Sequence, residues 1–339
     1  MPEVTLDTPT ATVNFNYVIS TPTNTSATAI DPTLPTVLFL HPVYLGKIIY
    51  HPQFADRELR RFNLVALDLR CHARTIGKAG KGYGREIAAR DVALFMSTLQ
   101  IPRYHLFGMS VGGCIALQTG ILFPVSVLSI FVVSSLPLTE PPDVGEGRQE
   151  IYDCWEEGIR HGETIEEGSM IRDAITGCLQ LSVNGHPTET FNAILRVSMA
   201  FMTAQWGVNS LDDFHAVSVD FFTLREAYTV DAMRNIACPV CLVHCGADIV
   251  YDVSTTNQVA DHLRTAGVTV EVVEIPDAPH FGATTHPKEI NAVFHNFLLS
   301  LCPDPPPPIP NQVVSPFEAQ LIAVGWESDS EDSDPEYFI

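Results

Sequence analysis

A serine between two glycines is the feature of this sequence with the clearest chemistry. Gly108 and Gly112 stand two residues before and after Ser110, where an apolar run at 104–107 gives way to a helix-like stretch from Cys114. Small residues at these positions let a strand turn sharply into a helix and expose the hydroxyl at the corner. The positive end of the helix then favours the negative charge that develops when a serine oxygen attacks a carbonyl. The spacing predicts a nucleophile elbow, whose simplest alternative is a Gly/Ser-rich turn without chemistry.

A base and an acid follow this serine along the chain. A serine hydroxyl is a weak nucleophile unless a histidine accepts its proton and a carboxylate orients that histidine. His280 comes after the apolar run 268–275, and Asp248 comes after the run 240–243. Because the carboxyl ends of parallel strands meet at one edge of a sheet, we expect both side chains near Ser110. We therefore predict Ser110 as nucleophile, His280 as general base and Asp248 as the acid that orients it.

The oxygen of an attacked carbonyl also needs hydrogen-bond donors. The backbone N–H of Val111, directly after the serine, is one candidate. The second is expected in the turn after the run 36–40, where Pro42 has no N–H, so that Val43 is the next available donor. The sequence thus predicts an oxyanion hole made by the backbone of Val43 and Val111.

The elements that must position these residues have an alternating pattern. Apolar runs rich in β-branched and aromatic residues predict buried parallel strands at 36–40, 62–69, 104–107, 127–133, 240–243 and 268–275. Helical spacing of apolar residues falls between or after them, at 85–99, 254–266 and 287–301. The segment 11–20 alternates in polarity and predicts an antiparallel edge strand. This order indicates the α/β class, with a doubly wound and mostly parallel sheet.

Residues 137–235 interrupt the alternation with helical patterns alone. These patterns cover residues 149–161, 164–181, 188–206 and 211–234. Their aromatic and methionine side chains must mostly pack onto the sheet domain, and a few can line an apolar pocket. We predict a helical cap at 137–235, inserted between the two parts of the core at 1–136 and 236–302.

The last segment, 303–339, differs from the rest in composition. It holds eight acidic residues and no lysine or arginine, and a proline-rich stretch at 305–310 precedes its acidic end. Such a sequence predicts a largely disordered tail with one short helix at 316–324. The proline-rich stretch can either dock to an SH3 or WW domain of a partner or serve as a flexible spacer.

Composition excludes several classes of function. The 339 residues are 46% apolar, enough for a large core, and 40 acidic against 19 basic residues give a formal charge of −21. That charge argues against binding to nucleic acid or to an anionic membrane surface. No apolar run predicts a membrane span and the start of the chain lacks a secretory pattern, so we expect a cytoplasmic location. The eight cysteines lack disulfide or zinc spacing, and we expect neither a metal nor a cofactor.

Taken together, these motifs resemble the α/β-hydrolase-fold family with a helical cap between the sixth and seventh strands. His41-Pro42 stands where the family has His-Gly, residues 68–75 are similar to its D-x-R-G-H-G-x-[ST] segment, and 108–113 resembles its elbow. Residues 246–248 resemble the acid turn, and 279–281 resemble the histidine turn. The order Ser, Asp, His also agrees with that family. The likeness spans about residues 10–301.

The resemblance implies a serine hydrolase that needs no cofactor. Its substrate would be a largely apolar ester, lactone or thioester, cleaved through an acyl-enzyme, and His41 would support the oxyanion turn. A carbon–carbon bond hydrolase, an acyltransferase and a cofactor-free haloperoxidase use the same triad and stay open as alternatives. A catalytically weak ligand-binding protein is the alternative from another class.

The acid has rivals because this chain departs from the family pattern. The acid turn is one residue shorter than usual, and three family glycines are replaced, by Pro42, Cys71 and Ala73. Asp252 lies four residues after Asp248, and Glu140 follows the sixth strand, where some hydrolases of this family carry their acid. Asp277 beside the histidine turn is a weaker rival.

Overall fold

One mixed sheet organises the molecule. The computed structural model describes residues 1–165, 167–302 and 305–327. In these ranges eight strands form a sheet of order β1-β2-β4-β3-β5-β6-β7-β8. The pairs β1·β2 and β2·β4 are antiparallel, and every later pair is parallel. The strands are β1 Glu3–Asp7, β2 Thr12–Ser20, β3 Thr36–Leu40, β4 Asn63–Leu67, β5 Tyr104–Met109, β6 Val127–Val133, β7 Val240–Cys245 and β8 Val270–Ile275.

The helices alternate with these strands as the pattern predicts, and the fold class is confirmed. They are α1 His51–Ala55, α2 Arg85–Thr98, α3 Val111–Leu122, α4 Pro142–Arg160, α5 Ser169–Val183, α6 Glu189–Gln205, α7 Leu211–His215, α8 Phe221–Thr223, α9 Val230–Met233, α10 Val253–Thr265, α11 Gly282–Thr285, α12 Pro287–Leu301 and α13 Glu318–Ile322. Within the described ranges, none of them is long and apolar enough to span a membrane.

The strand at 11–20 is not the edge of the sheet, contrary to expectation. β2 lies between β4 and β1, which runs over Glu3–Asp7 and pairs with it in antiparallel register. Only Val4 and Leu6 are apolar in β1, too few to give a recognisable strand pattern in the sequence. Short, polar strands with acidic ends suit a sheet edge because they resist pairing with other chains.

The centre of the sheet is filled by aromatic side chains. Phe39 of β3, Phe107 of β5 and Phe131 of β6 stack across neighbouring strands, with ring centroids 5.0 and 5.1 Å apart. Phe294 of α12 closes over this row at 4.9 Å from Phe107. All four are fully buried. Offset and edge-on ring contacts of this kind add to the stabilisation from apolar burial, so the strands that end at the predicted site have a rigid base.

The helices α4 to α9 all lie between β6 and β7, where the cap is predicted. The last predicted cap helix, 211–234, is interrupted: a π-helical turn at Ala216–Asp220 separates α7 from α8, and residues 224–229 are irregular. Arg225 explains the break, because its buried guanidinium donates to the carbonyls of Pro137 and Leu138. Sequence periodicity cannot register such a tertiary contact. The boundaries of the cap at 137 and 235 stay a prediction.

The proline-rich stretch lies on the surface of the core. The carbonyls of Pro306 and Pro307 accept hydrogen bonds from the guanidinium of Arg61, and that of Pro310 accepts from Arg57. Residues 305–327 are described and the proline-rich stretch contacts the core, whereas residues 303–304 and 328–339 of the predicted tail lie outside the described ranges, and the disorder of the tail stays a prediction. Composition alone could not reveal that arginines of the core match these carbonyls. Docking of the stretch to a partner stays a prediction.

The segment around α13 then joins the core to the cap. Phe317 is fully buried and packs edge-on against Phe54 of α1, with ring centroids 5.4 Å apart. The indole N–H of Trp326 donates to the hydroxyl of Thr190 on α6 at 3.2 Å. The backbone carbonyl of Val324 accepts from Arg196 of the same cap helix. The end of the described chain thus holds α6 in place relative to the sheet.

Two neighbouring residues of α13 offer a matched test of this packing. Leu321 is 0% exposed and Ile322 is 55% exposed. Leu321→Ala should lower the free energy of unfolding in urea by about 2–5 kcal/mol, because it leaves a cavity. Ile322→Ala should change it by less than about 0.5 kcal/mol. Equal values for the two variants would contradict the packing of this segment.

Candidate active site

The turn from β5 into α3 gives Ser110 a conformation that few side chains adopt. Its φ of 55° and ψ of −119° lie outside the regions open to most L-residues, at a cost of about 1–2 kcal/mol. A Cβ on Gly112 would lie 1.9 Å from the carbonyl oxygen of Leu40, and one on Gly108 would lie 2.4 Å from that of Gly112. Both positions therefore exclude every side chain, which is the physical reason for the predicted glycine pattern.

The structure brings the predicted nucleophile, base and acid together. Nε2 of His280 lies 2.9 Å from Oγ of Ser110, and Nδ1 of His280 lies 2.6 Å from Oδ2 of Asp248. Ser110 follows β5, Asp248 follows β7 and His280 follows β8, at the carboxyl edge of the sheet. The three side chains are almost entirely enclosed: Ser110 and His280 are 1% and 3% exposed, and the Asp248 side chain is 2% exposed.

The hydrogen bonds around Asp248 determine which ring nitrogen of His280 is free to accept. Oδ1 of Asp248 accepts from the backbone N–H groups of Val250 and Tyr251, at 2.8 and 3.1 Å. Its other oxygen is then directed at Nδ1 of His280, which donates its proton there. Nε2 is left unprotonated and faces the Ser110 hydroxyl, as a general base requires.

Two of the rival carboxylates face solvent. Asp252 is the N-cap of α10, and its Oδ1 accepts from the N–H groups of Ser254 and Thr255. The hydrogen bond from the Ser254 side chain is the main cause that lowers the pKa of this exposed carboxyl. Asp277 is likewise exposed. Neither makes a hydrogen bond to His280 in the described structure.

The third rival, Glu140, is held by two arginines. Its Oε1 accepts from Nε of Arg148 at 2.7 Å and from the Tyr251 hydroxyl at 2.8 Å, and its Oε2 accepts from Arg225 at 3.0 Å. The carboxylate and both guanidiniums are buried. Glu140 therefore ties the loop after β6 to the cap, at Arg148 and Arg225, and to Tyr251 beside Asp248. Sequence reasoning did not find these arginines, because nothing in their local pattern distinguishes them from surface residues.

The predicted oxyanion donors lie on adjoining turns. Val111 is the first residue of α3, so its N–H has no partner within the helix. Val43 lies in the turn that follows β3, whose last carbonyl, that of Leu40, touches the elbow at Gly112. In the described part of the chain, neither N–H donates to another group. Both are available to an oxygen bound beside Ser110.

His41 connects the turn after β3, which carries Val43 and is called the oxyanion turn below, to the loop after β4, which carries Leu69. Nε2 of His41 accepts from the N–H of Leu69 at 2.8 Å, and Nδ1 lies 2.7 Å from the carbonyl of Pro42, to which it must donate. Burial lowers the pKa of His41 to about 3, and it lowers that of the adjacent His72 to about 4. Both rings are therefore neutral near pH 7, and His41 acts as a fixed connector between two loops rather than as a base.

Two of the substituted family glycines keep the conformation that glycine favours. Cys71 and Ala73 have φ values of 60° and 45°, in the left-handed region. Such a φ costs a residue with a Cβ about 1–2 kcal/mol. The loop therefore retains the shape of the family motif without its glycines, at the expense of stability.

The space beside the site is small and apolar. A cavity of about 20 Å³ lies between the turn after β3, helices α5 and α6, and the turn after β8. Its lining residues are Tyr44, Leu45, Cys178, Leu179, Ser182, Phe191, Leu195, Met202 and Phe281. Two larger clefts, of about 780 and 560 Å³, are lined by other residues, and none of these three cavities includes Ser110 in its lining. Helices α5 and α6 thus form the walls of a small apolar cavity next to Phe281, the residue that follows His280.

Comparison with known proteins identifies the family. Residues 37–293 match the model of the Alpha/beta hydrolase family. The chain belongs to this family. A search of curated protein sequences finds no match.

Solved structures agree with the fold. A thermophilic esterase from Thermogutta terrifontis has a TM-score of 0.66 at 16% identity, with 89% of this chain and 99% of that chain covered. Carboxylesterase CesB from Bacillus subtilis has a TM-score of 0.64 at 17% identity, with 88% and 92% covered. Est816, an N-acyl homoserine lactone degrading enzyme, has a TM-score of 0.62 at 21% identity, with 87% and 100% covered. At these identities the likeness shows a common fold.

The close backbone approach at the elbow can be tested with two helical glycines. Gly112→Ala should lower the free energy of unfolding by about 3 kcal/mol or more, because its Cβ would overlap the Leu40 carbonyl. Gly147→Ala on α4 meets nothing within 4 Å and should raise it by about 1 kcal/mol, from helix propensity. Chemical denaturation measures both. A Gly112→Ala protein as stable as wild type would contradict this geometry.

Proposed function

We propose that this protein is a serine hydrolase that cleaves a carboxylic ester, lactone or thioester of a largely apolar small molecule. The observation that carries the proposal is the pair of hydrogen bonds of His280, at 2.9 Å to Ser110 and 2.6 Å to Asp248. A carboxylate, an imidazole and a hydroxyl in this order form the arrangement that activates a serine for attack on a carbonyl.

Acylation begins when Oγ of Ser110 attacks the carbonyl carbon while Nε2 of His280 takes the hydroxyl proton. The electron pair of the carbonyl moves to its oxygen, where the N–H groups of Val43 and Val111 donate to the oxyanion. Asp248 stabilises the imidazolium. The tetrahedral intermediate then collapses, His280 gives the proton to the leaving alcohol or thiol, and the acyl group stays on Ser110.

Deacylation repeats these steps with water. The water oxygen attacks the acyl carbon while His280 takes a proton from the water. The N–H groups of Val43 and Val111 donate to the second oxyanion. Collapse breaks the bond to Ser110, whose oxygen recovers a proton from His280. The carboxylic acid leaves and the free enzyme is restored, so that no cofactor takes part in the proposed cycle.

The surroundings support an apolar substrate. The cavity beside the site is lined mainly by aliphatic and aromatic side chains of α6 and of the turns that carry His280 and Val43. If these side chains part to admit an apolar acyl or alcohol group, its burial against them is favourable at about 25 cal/mol per Å² of apolar surface. The net charge of −21 disfavours polyanionic ligands such as nucleic acid. All eight cysteines are free, which suits the reducing cytoplasm.

A fluorophosphonate probe tests the proposal, because it reacts with activated serines. The wild-type protein should be labelled on Ser110, and Ser110→Ala should abolish the labelling. Ser300→Ala, which changes an exposed serine on α12, should label like wild type. Intact-protein mass spectrometry reads the result. A folded wild-type protein that stays unlabelled, or equal labelling of Ser110→Ala, would refute the serine hydrolase.

A further inference from the structure

Tyr44 has an unusual backbone for its residue type. It directly follows Val43 in the oxyanion turn, and its φ of 72° places it in the left-handed region. Tyrosine gains nothing locally from this conformation, since its Cβ meets the backbone and glycine would adopt it without strain. Strain of this kind persists where the surrounding structure imposes it, and it clusters at functional sites. The turn therefore keeps a tyrosine against its conformational preference.

The hydroxyl of Tyr44 adds a second cost. The residue is 5% exposed, and its hydroxyl proton has no acceptor within the described residues, because the nearby guanidinium of Arg148 can only donate to the hydroxyl oxygen. A buried hydroxyl without a partner loses its bonds to water and gains none in return. Phenylalanine would fill the same space without that penalty. Two separate costs thus fall on one side chain beside the proposed nucleophile.

The neighbours of Tyr44 indicate what the hydroxyl can bind. Burial raises the pKa of Tyr44 above its usual value, while the nearby Arg148 opposes this rise, so the hydroxyl stays protonated. Arg148 already donates to Glu140 and to the Tyr251 hydroxyl, and a guanidinium has no acceptor. Tyr44 also lines the cavity beside Phe281. Its proton is therefore available to the acceptor of a ligand bound beside Tyr44.

The charges around the site favour a neutral acceptor. Asp248 and Glu140 contribute two buried carboxylates, and Arg148 and Arg225 contribute two buried guanidiniums. These four formal charges cancel. A substrate carboxylate would add a buried charge with no counter-ion, which is far more costly than a carbonyl oxygen bound by one donor.

We propose that Tyr44 is a specificity-determining residue whose hydroxyl donates a hydrogen bond to a keto oxygen in the chain of the substrate. The inference rests on the proposed function and narrows it: the preferred substrates are oxo-acyl esters rather than plain alkyl esters. The keto oxygen accepts the proton for which the described residues offer no acceptor, and the apolar side chains of α5 and α6 must part to receive the rest of the chain.

Matched substrates and a matched variant test this assignment. The substrates are 4-nitrophenyl hexanoate and its 3-oxo, 4-oxo and 5-oxo analogues, each assayed with wild type and Tyr44→Phe. Tyr44→Phe should lower kcat/KM about tenfold for at least one oxo ester and by less than about twofold for hexanoate. Each ester is judged by the ratio of kcat/KM for the variant to kcat/KM for wild type, because the intrinsic reactivity of the ester is the same in both values.

Tyr104→Phe is the control, because the Tyr104 hydroxyl is also buried without a partner but lies at the start of β5, the end away from Ser110. It should leave all four ratios near one. Both variants should keep or raise Tm, since each removes an unsatisfied hydroxyl. If Tyr44→Phe changes all four esters by the same factor, or changes none, the assignment is wrong.

A binding experiment separates this assignment from the proposed chemistry. Calorimetry compares Ser110→Ala with the double variant Ser110→Ala, Tyr44→Phe, using N-methylhexanamide and its three oxo analogues. At least one oxo amide should bind Ser110→Ala about tenfold more tightly than it binds the double variant. The affinity for N-methylhexanamide should differ between the two proteins by less than about twofold. This result would uphold Tyr44 even if the wild type hydrolysed none of the esters, which would refute the serine hydrolase alone. Equal affinities would overturn the role of Tyr44.

Discussion

Two hydrogen bonds of one imidazole ring connect the three loops that form the candidate site. His280 reaches back 32 residues to Asp248 and 170 residues to Ser110. Only the parallel register of β5 to β8 brings such distant segments to one edge. The elbow and the oxyanion turn serve the same arrangement, because the contact of Gly112 with Leu40 fixes the serine and the donor turn in one rigid unit. Preorganised donors of this kind lower a barrier without reorganising during the reaction.

The side chains of Ser110, His280 and Asp248 are almost entirely enclosed, so the contacts between the cap and the core bear on access to them. Ser110 is 1% exposed, and α5 and α6 line the small cavity next to Phe281, so the proposed function would require these contacts to open for a substrate. Two groups of contacts hold the cap down. One is the buried ion-pair cluster of Glu140 with Arg148 and Arg225, and the other is the segment around α13 that bonds to α6. In the proposed hydrolase, enclosure would strengthen the electrostatic interactions at the site and would add a conformational step to each turnover.

Much of this could be predicted from the sequence where local pattern and tertiary environment agree. The buried strands and α12 have patterns that survive packing, and Ser110 is marked by glycines that the backbone requires. Other features depend on residues that are distant in sequence, which no local window contains. These features are the pairing of β1, the break at Arg225, the packing of the proline-rich stretch and the burial of the Tyr44 hydroxyl. For the acid, sequence spacing left Asp252 and Glu140 beside Asp248. Geometry separates them, because Asp252 caps a helix and Glu140 is bound by arginines.

One pair of variants tests whether Asp248 orients His280 to activate Ser110. Asp248→Asn keeps the shape of the side chain but removes the charge that fixes the imidazole, so the single-turnover rate of acylation by 4-nitrophenyl hexanoate should fall about 10³–10⁴-fold. Asp252→Asn preserves an N-cap, since asparagine caps as well as aspartate, and should stay within about twofold of wild type. Equal rates for the two variants, or a larger loss in Asp252→Asn, would contradict the account.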